Sequence, residues 1–212
     1  MNISVVDIIN NLAESGRVVI DDFLGSDQTR KIFTHAQDLN REAHFTRAGV
    51  GTAHLHTVNK QVRGDSVFWI DPDSGNSAIQ SYIEKMRNLI EGLNRGAFLG
   101  IKDIEMHYAC YPIGAHYEKH IDQLQVNGKR VLSAVFYLNA DWQPGDGGEL
   151  RIYDEDGQSY EDITPQAGRL VLFLSNSVYH EVLPVNKERY SITGWMLNQY
   201  TDTTFVGITA KV

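Results

Sequence analysis

The chain has 212 residues, of which 42% are hydrophobic, and its formal net charge at pH 7 is −8. This length and apolar content are typical of one domain with a substantial core, and they exclude a disordered or fibrous chain. The acidic balance opposes general binding to nucleic acids or membrane surfaces, because such binding needs basic surface. We therefore expect neither a nucleic-acid nor a membrane partner.

The cysteine content and the N-terminal stretch bear on the compartment. Cys110 is the single cysteine, so the chain cannot form an internal disulfide. The opening MNISVVDIINNLAESG lacks the basic and apolar regions of a secretory signal, and no run of about 18 apolar residues occurs. These features predict a soluble cytoplasmic protein. We expect Cys110 to be a small buried apolar residue rather than a nucleophile.

The first part of the chain has mainly helical periodicity, with apolar residues three and four positions apart. The stretch RVVIDDFL interrupts this pattern as a short apolar strand. We predict three helices: one over residues 5–12, one that Ser26 or Asp27 caps and that runs to residue 39, and one over residues 79–93 with Gly96 as its stop.

From Ile101 onward, short apolar stretches alternate with Gly, Pro and Asn turns, a pattern typical of a sandwich or barrel of the jelly-roll kind. The predicted strands lie in IKDIEMHYACY, HYEKHID, RVLSAVFYLNA, GELRIYD, GRLVLFLS, VYHEVLP and RYSITGWMLN. The expected fold class is mostly β with N-terminal helices (α+β): a double-stranded β-helix, the cupin-like jelly roll, packed against supporting helices. We expect residues 1–100 to form a helical and lid region that is not an independent domain, 101–200 the core, and 201–212 a C-terminal tail.

Residues 44–64, HFTRAGVGTAHLHTVNKQVRG, contain histidines and basic residues but no acidic residue. In an acidic chain, an irregular segment of this length is typical of a lid or binding loop. The alternative is an ordinary solvated connection.

The motif HID indicates a metal site. In a β-strand, His120 and Asp122 share one face. His180, on a later predicted strand, is the natural third ligand. Two histidines and one carboxylate that leave other positions open are the arrangement of non-haem Fe(II) oxygenases. Taken alone, the motif is weak evidence for a metal, because it also occurs by chance and an ordinary surface ion pair or hydrogen bond accounts for it.

Strand alternation in RYSITGWM places four residues on one face: Arg189, Ser191, Thr193 and Trp195. A buried guanidinium beside a metal needs an anion, because an unpaired buried charge is costly. A dicarboxylate satisfies both groups, since one end chelates the metal while the other pairs with Arg189. Tyr137, in AVFYLN, is placed to give a second hydrogen bond.

These motifs together resemble the prolyl 4-hydroxylase-like branch of the 2-oxoglutarate (2OG) and Fe(II)-dependent dioxygenases. The sequence is especially similar to the catalytic domain of the animal hypoxia-sensing prolyl hydroxylases and to their bacterial relatives. The resemblance covers residues 63–197, and the spacing from His180 to Arg189 matches the family. The motifs that carry it, in the family's order, are RGDSVFWI, YACYPIGAHYEKHID, YLNADW, GGELRIY and HEVLPVNKERYSITGW.

The resemblance implies a role for each site residue. The iron ligands would be His120, Asp122 and His180. The co-substrate site would use Arg189 and Tyr137 for the distal carboxylate of 2OG, Tyr111 for its metal-bound end, and Thr193 and Trp195 as pocket walls.

The resemblance also implies the reaction. The expected activity is hydroxylation of an unactivated C–H, at C4 of a prolyl residue in a protein or peptide, with release of succinate and CO2. Fe(II), the co-substrate 2OG, O2 and L-ascorbate are the implied cofactors. The implied partner is a prolyl-containing protein, with elongation factor Tu as a candidate from bacterial relatives.

Four further residues acquire expectations from the family. Asp65 would pair with Arg130 and brace the lid, and Leu150 would border the substrate side. His107 stands where the animal enzymes have an apolar residue, and we expect it to form a hydrogen-bonding wall rather than a fourth ligand. The stretch before the HID motif is one residue shorter than in those enzymes, which leaves the role of Tyr117 open.

Three alternatives remain at this point. A free amino acid or small metabolite could replace the prolyl substrate. The segment HYEKH has histidines four apart, as zinc hydrolases do, but its glutamate does not follow the first histidine and its surroundings are β-like. The third alternative is a binding module that keeps the jelly roll without the chemistry.

Overall fold

The computed structural model describes residues 3–49, 62–123 and 128–200. The helices in these ranges are α1 (Val5–Ser15), α2 (Ser26–Arg41) and α3 (Gln80–Ala97). The strands are β1 (Arg17–Ile20), β2 (Thr46–Arg47), β3 (Ser66–Ile70), β4 (Asp103–Tyr111), β5 (Tyr117–His120), β6 (Arg130–Tyr137), β7 (Leu150–Tyr153), β8 (Tyr160–Ile163), β9 (Leu170–Leu174), β10 (His180–Val182) and β11 (Arg189–Leu197).

The strands form two antiparallel sheets. The larger has seven strands in the order β1-β9-β6-β11-β4-β3-β2, and the smaller has four in the order β5-β10-β7-β8. Most neighbours in the central part of each sheet are far apart in sequence, as β9-β6-β11-β4 and β5-β10-β7 show, because the chain crosses repeatedly from one sheet to the other. This is the predicted jelly roll with helices at its N-terminal side, and the predicted fold class is confirmed.

One hydrophobic core lies between the helices and the outer face of the large sheet. It joins Ile8 of α1, Ile32 of α2 and Met86 of α3 to strand residues such as Leu172 and Ile192, all of them buried. Burial of apolar surface contributes roughly 25 cal/mol per Å², so this layer supplies much of the stability. The helices thereby support the sheet that carries half of the site.

A second core lies between the two sheets. It joins Val135, Val171 and Phe173 of the large sheet to Leu150 and Ile152 of the small one. Leu150, expected at the substrate side, is a buried member of this core with 1% of its surface exposed. The polar side chains of the site occupy the same inner space, beside this apolar layer.

The helix ends differ in part from expectation. Ser4 caps α1 in a capping box with Asp7, but the predicted cap of α2 at Ser26 or Asp27 is wrong. Gly25 is the N-cap residue there, without a side-chain hydrogen bond. Gly96 does not stop α3, because α3 includes Ala97 and ends where Phe98 adopts left-handed φ of 53°.

The seven strands expected after Ile101 are all present, while strands β2, β3 and β8 were not predicted. Strand β8 has three exposed residues before Ile163, so it lacks the apolar alternation that identifies a strand. The stretch RVVIDDFL is a strand only as far as Ile20, because Asp22 turns the chain with φ of 52°.

Several expectations concern residues that the structure does not describe. The greater part of the predicted lid, residues 50–61, and the tail 201–212 lie outside the described residues. The division of the chain at residues 100 and 200 stays a prediction, although β1, β2 and β3 extend the large sheet.

Among the described residues, no helix combines the length and the apolar character needed to cross a bilayer. Cys110 is buried, and burial raises the pKa of its thiol to about 12.

Candidate metal and anion site

Three predicted ligands meet between the two sheets. His120 ends β5, and His180 begins β10 directly opposite it in the antiparallel register. Asp122 follows β5, and its Oδ1 lies 3.6 Å from Nε2 of His120 and 3.8 Å from Nε2 of His180. One ligand atom from each residue lies within 4.8 Å of the others, so the three could hold a metal ion.

Backbone carbonyls fix the orientation of both imidazoles. Nδ1 of His120 lies 2.6 Å from the carbonyl oxygen of Glu118, and Nδ1 of His180 lies 3.2 Å from that of Val178. A carbonyl oxygen only accepts hydrogen bonds, so each Nδ1 carries the proton in the neutral ring. The lone pair of each Nε2 is therefore free for a metal.

The charge states also suit a divalent ion, which binds neutral imidazole and ionised carboxylate. Burial lowers the pKa of His180 to about 4, so its ring is neutral at pH 7. Burial alone would raise the pKa of Asp122, but the two imidazoles and the Ser133 hydroxyl lower it below its usual range. Two nitrogen donors and one carboxylate are a set that Fe(II) accepts.

Arg189 is a buried cation at the start of β11, with 1% of its surface exposed. Its guanidinium carbon lies 4.9 Å from the ring centre of Tyr111 and 5.0 Å from that of Tyr137. Within the described ranges no carboxylate pairs with it, and its Nε has no hydrogen-bond partner. An added Cβ on Gly148 would lie 3.0 Å from Cδ of Arg189, so a glycine there leaves room for the arginine.

Two buried hydroxyls beside Arg189 also lack partners among the described residues: those of Tyr137 and Ser191, which are opposite each other in the register of β6 and β11. Burial raises the pKa of Tyr137 and of Tyr111, so both phenols keep their protons at neutral pH. Unpaired buried polar groups are costly unless a ligand satisfies them. A cation with neighbouring hydroxyl donors fits a carboxylate.

The predicted inward row of β11 is present. Arg189 pairs with Tyr111, and Thr193 pairs with His107, so both strands direct these residues to the inner space. Trp195 is 8% exposed and lies opposite Ser133 of β6. All the site residues expected from sequence therefore belong to one inner face, except the three metal-binding candidates, which approach it from the β5-β10 side.

His107 lies in an aromatic wall at the far end of that row. Its ring centre is 4.9 Å from that of Trp69 and 5.5 Å from that of Trp195. Burial lowers the pKa of His107 to about 4, and its Nδ1 and Nε1 of Trp195 have no partner in the described part of the chain. The Arg130 guanidinium lies 3.6 Å from the Trp195 ring centre. Sequence reasoning missed Trp69, which shares a strand face with Val67 in SVFWI.

Tyr117 contacts a metal-site residue. Its ring stacks on His120 with centres 3.7 Å apart, and the Arg63 guanidinium lies 4.4 Å from the centre of the Tyr117 ring. The backbone N–H of Gly64 donates to the carbonyl of His116 at 2.9 Å. No sequence signal identified this stack.

The zinc-helix alternative for HYEKH is wrong, because Tyr117–His120 is a strand.

The predicted pair of Asp65 and Arg130 is wrong. Asp65, which is fully buried, instead binds Arg63 through two hydrogen bonds of 2.8 and 2.6 Å. Arg130 binds Glu105 at 3.0 Å and the backbone carbonyl of Asp122 at 3.2 Å. Arg63 and Asp65 are two residues apart in sequence, and in extended chain such side chains share a face, so Arg63 can reach Asp65 locally.

This correction can be tested by double-mutant cycles in urea. Asp65→Asn and Arg63→Gln should be strongly non-additive, with a coupling of about 1 to 3 kcal/mol, because the forked pair is buried. Asp65→Asn and Arg130→Gln should add to within about 0.5 kcal/mol. A larger coupling of Asp65 to Arg130 than to Arg63 would restore the original expectation.

Comparison with known proteins places this geometry in a family. Residues 106–197 match the model of the 2OG-Fe(II) oxygenase superfamily. The chain is 32% identical to Egl nine homolog 1 of Homo sapiens over 89% of its own length and 45% of the relative's. Its fold matches a crystal structure of a Pseudomonas putida prolyl-4-hydroxylase with a TM-score of 0.83 and 38% identity, covering 93% of this chain and 100% of that one.

A prolyl hydroxylase from Trichoplax adhaerens, solved with a peptide of the hypoxia inducible factor oxygen degradation domain, has a TM-score of 0.81 and 29% identity. The match covers 98% of this chain and 93% of that one. The chain therefore belongs to the prolyl hydroxylase branch of the 2OG-Fe(II) oxygenase superfamily. Its members use Fe(II), 2OG and O2. The chain spans about half the length of the Egl nine homologs it matches, 45% in human and 57% in rat.

Proposed function

We propose that this chain is a prolyl hydroxylase that uses Fe(II), 2OG and O2 to hydroxylate C4 of a prolyl residue in a protein or peptide, releasing succinate and CO2. The observation that carries the proposal is a metal-binding trio that approaches the space between the sheets from the β5-β10 side, together with a buried arginine on the inner face of the large sheet that has no carboxylate partner among the described residues. A chelating dicarboxylate is the ligand that satisfies both. The two relatives solved as prolyl hydroxylases support the prolyl substrate.

In this proposal His120, Asp122 and His180 hold the iron. Fe(II), when bound, would supply the redox chemistry for O2: 2OG would give two electrons as it loses CO2, one oxygen atom would go into succinate and the other into the C–H bond. The protein's own residues contribute orientation. The carbonyls of Glu118 and Val178 hold the imidazoles so that both Nε2 atoms face the ion.

The residues proposed for 2OG each have a distinct task. Arg189 pairs with the distal carboxylate, and the Tyr137 hydroxyl donates to it. Tyr111 donates toward the metal-bound end, while Thr193 and Trp195 line the pocket. The surrounding inner core of buried apolar side chains keeps water away, which strengthens these charge interactions.

The aromatic wall of Trp69, His107 and Trp195 is the proposed substrate side. Trp69 is 45% exposed, so one part of this wall is open to an approaching chain. Tryptophan rings suit a prolyl ring, and Nδ1 of His107 and Nε1 of Trp195, which have no hydrogen-bond partner among the described residues, suit the polar groups of a peptide backbone. This arrangement suits a peptide, because the aromatic rings can contact a prolyl ring while the nitrogen atoms bind the adjoining backbone.

The experiment that tests the proposal is mass spectrometry of a proteome incubated with the protein, Fe(II) and 2OG. A gain of one oxygen on a specific prolyl residue, absent without 2OG, is the expected result. Oxygen gained only by free amino acids or small metabolites would replace the prolyl substrate by the small-molecule alternative. Absence of both succinate and oxidised product would favour the non-catalytic module.

Three finer elements belong to the same proposal. Elongation factor Tu is the first purified protein to test as a substrate, and an unchanged mass after incubation would exclude it as one.

L-ascorbate is proposed to keep the iron ferrous, so its omission should shorten the linear phase of turnover. The proposed compartment is the cytoplasm, given the single buried Cys110, and cell fractionation that recovers the chain elsewhere would contradict it.

A further inference from the structure

The two carboxylate oxygens of Asp122 have different surroundings. Oδ1 is the oxygen that faces the imidazoles of His120 and His180. Oδ2 accepts a hydrogen bond from the hydroxyl of Ser133 at 2.5 Å. A hydroxyl that donates to a carboxylate at this distance forms one of the stronger hydrogen bonds found in proteins. One oxygen is therefore held by the protein and the other is left for a metal.

Ser133 is itself held in place by a second serine. It lies in β6 of the large sheet, and its oxygen is 2.8 Å from that of Ser175, which follows β9. Neither serine has any exposed surface. A carboxylate only accepts, so the single hydroxyl proton of Ser133 goes to Asp122 and Ser175 must donate to Ser133. The two hydroxyls thus form a directed chain that ends on the carboxylate.

Backbone hydrogen bonds fix the positions of Asp122 and Ser175, the two ends of this series of hydrogen bonds. The N–H of Gln123, next to Asp122, donates to the carbonyl of Ser175 at 2.9 Å, and the N–H of Ser175 donates to the carbonyl of Val131 at 3.2 Å. The segment that carries Asp122 is therefore tied to β6 and β9 at the level of the two serines. Ser133, a buried polar residue between apolar residues of β6, therefore has its hydrogen-bond partner in the metal site.

We propose that Ser133 is a positioning residue of the metal site, and that Ser175 orients its hydroxyl. By holding Oδ2, Ser133 stops the carboxylate from rotating and presents Oδ1 alone to the ion, as a single-oxygen ligand. The inference rests on the proposed metal site. Loss of an outer hydrogen-bond partner of a ligand costs about ten- to a hundredfold in metal affinity.

The test is titration of the full chain with Mn(II) by calorimetry, without 2OG. Ser133→Ala should weaken Mn(II) binding about ten- to a hundredfold, whereas Ser133→Thr, which keeps the hydroxyl, should stay within about threefold of wild type. Thr29→Val is the matched control, because Thr29 in helix α2 is a buried hydroxyl residue that donates to the backbone carbonyls of Leu24 and Gly25 and belongs to neither the metal site nor the anion site. Its Mn(II) affinity should equal that of wild type.

Two further measurements separate positioning from mere support of the fold. A structural role would lower the unfolding temperature of the metal-free Ser133→Ala protein and leave its Mn(II) dissociation constant unchanged, and that result would overturn the proposal. Loaded with Co(II), the same variant should show an altered d–d absorption spectrum, since the freed carboxylate changes the ligand set. An unaltered spectrum would contradict the single-oxygen arrangement.

The outcomes also distinguish this inference from the proposed function. If wild-type protein binds no Mn(II), the metal site itself is wrong. If wild type binds and Ser133→Ala binds equally well, only the positioning role fails. Should Ser133→Ala not fold, Ser175→Ala takes its place with an expected loss of about two- to tenfold in Mn(II) affinity, the size of one ordinary hydrogen bond, because Ser133 loses the donor that orients its hydroxyl. Wild-type affinity in Ser175→Ala would then refute the proposal.

Discussion

Replacing either His120 or His180 with alanine is expected to abolish succinate formation from 2OG. Each change removes one of three ligand atoms that lie within 4.8 Å of one another. The loss in metal affinity should exceed the roughly hundredfold that follows removal of an outer hydrogen-bond partner, because a direct ligand is lost. Mn(II) titration and succinate quantification check the two consequences separately.

His107→Ala is the matched control for these two variants. His107 is buried on the same inner face but is not one of the three clustered residues. It should bind Mn(II) with wild-type affinity, whatever it does to the substrate. Undiminished Mn(II) binding in both His120→Ala and His180→Ala would show that the metal lies elsewhere.

Replacing Arg189 should have the second largest effect. A forked, charge-assisted pair contributes roughly 1.5 to 3 kcal/mol, so Arg189→Ala should raise the 2OG concentration for half-maximal turnover about ten- to a hundredfold. Arg189→Lys keeps the charge but loses the paired N–H donors of the guanidinium, so its 2OG concentration for half-maximal turnover should lie between those of Arg189→Ala and wild type. The dependence of succinate formation on 2OG concentration measures this directly.

The same residue predicts an opposite effect on stability. In the absence of 2OG, Arg189 is a buried cation without a carboxylate partner among the described residues, which is unfavourable. Arg189→Met should therefore raise the unfolding temperature of the ligand-free protein while removing the stabilisation that 2OG gives wild type. A lower unfolding temperature together with an unchanged 2OG requirement would mean that Arg189 supports the fold and binds no co-substrate.

Part of the site was predictable because side-chain direction in a strand has a fixed period of two. That period placed Arg189, Thr193 and Trp195 on one face before any pairing was known, and the β4-β11 register agrees. The HID motif likewise predicted neighbouring side chains. The pairing of His180 with His120 was not in the sequence pattern, because it depends on which strands the chain brings together.

The features that the sequence did not predict depend on contacts formed in the fold or on exposed positions without an apolar pattern. Local competition decided the partner of Asp65, since Arg63 reaches it within one extended segment. Ser133 was unremarkable in sequence, because a serine in an apolar strand acquires its meaning only when β6 meets the segment after β5. Strand β8 is exposed on most of its residues and has no apolar period to read.

The most direct test of the proposed chemistry is oxygen incorporation from labelled O2. The reaction joins one atom of O2 to the substrate carbon and places the other in the carboxylate of succinate, as CO2 leaves 2OG. With 18O2, the prolyl product and succinate should each gain one labelled atom in equal amounts, and Arg189→Ala at low 2OG should form neither. Label that enters the product from water, or succinate that appears without labelled oxygen, would contradict an oxygenase built on these residues.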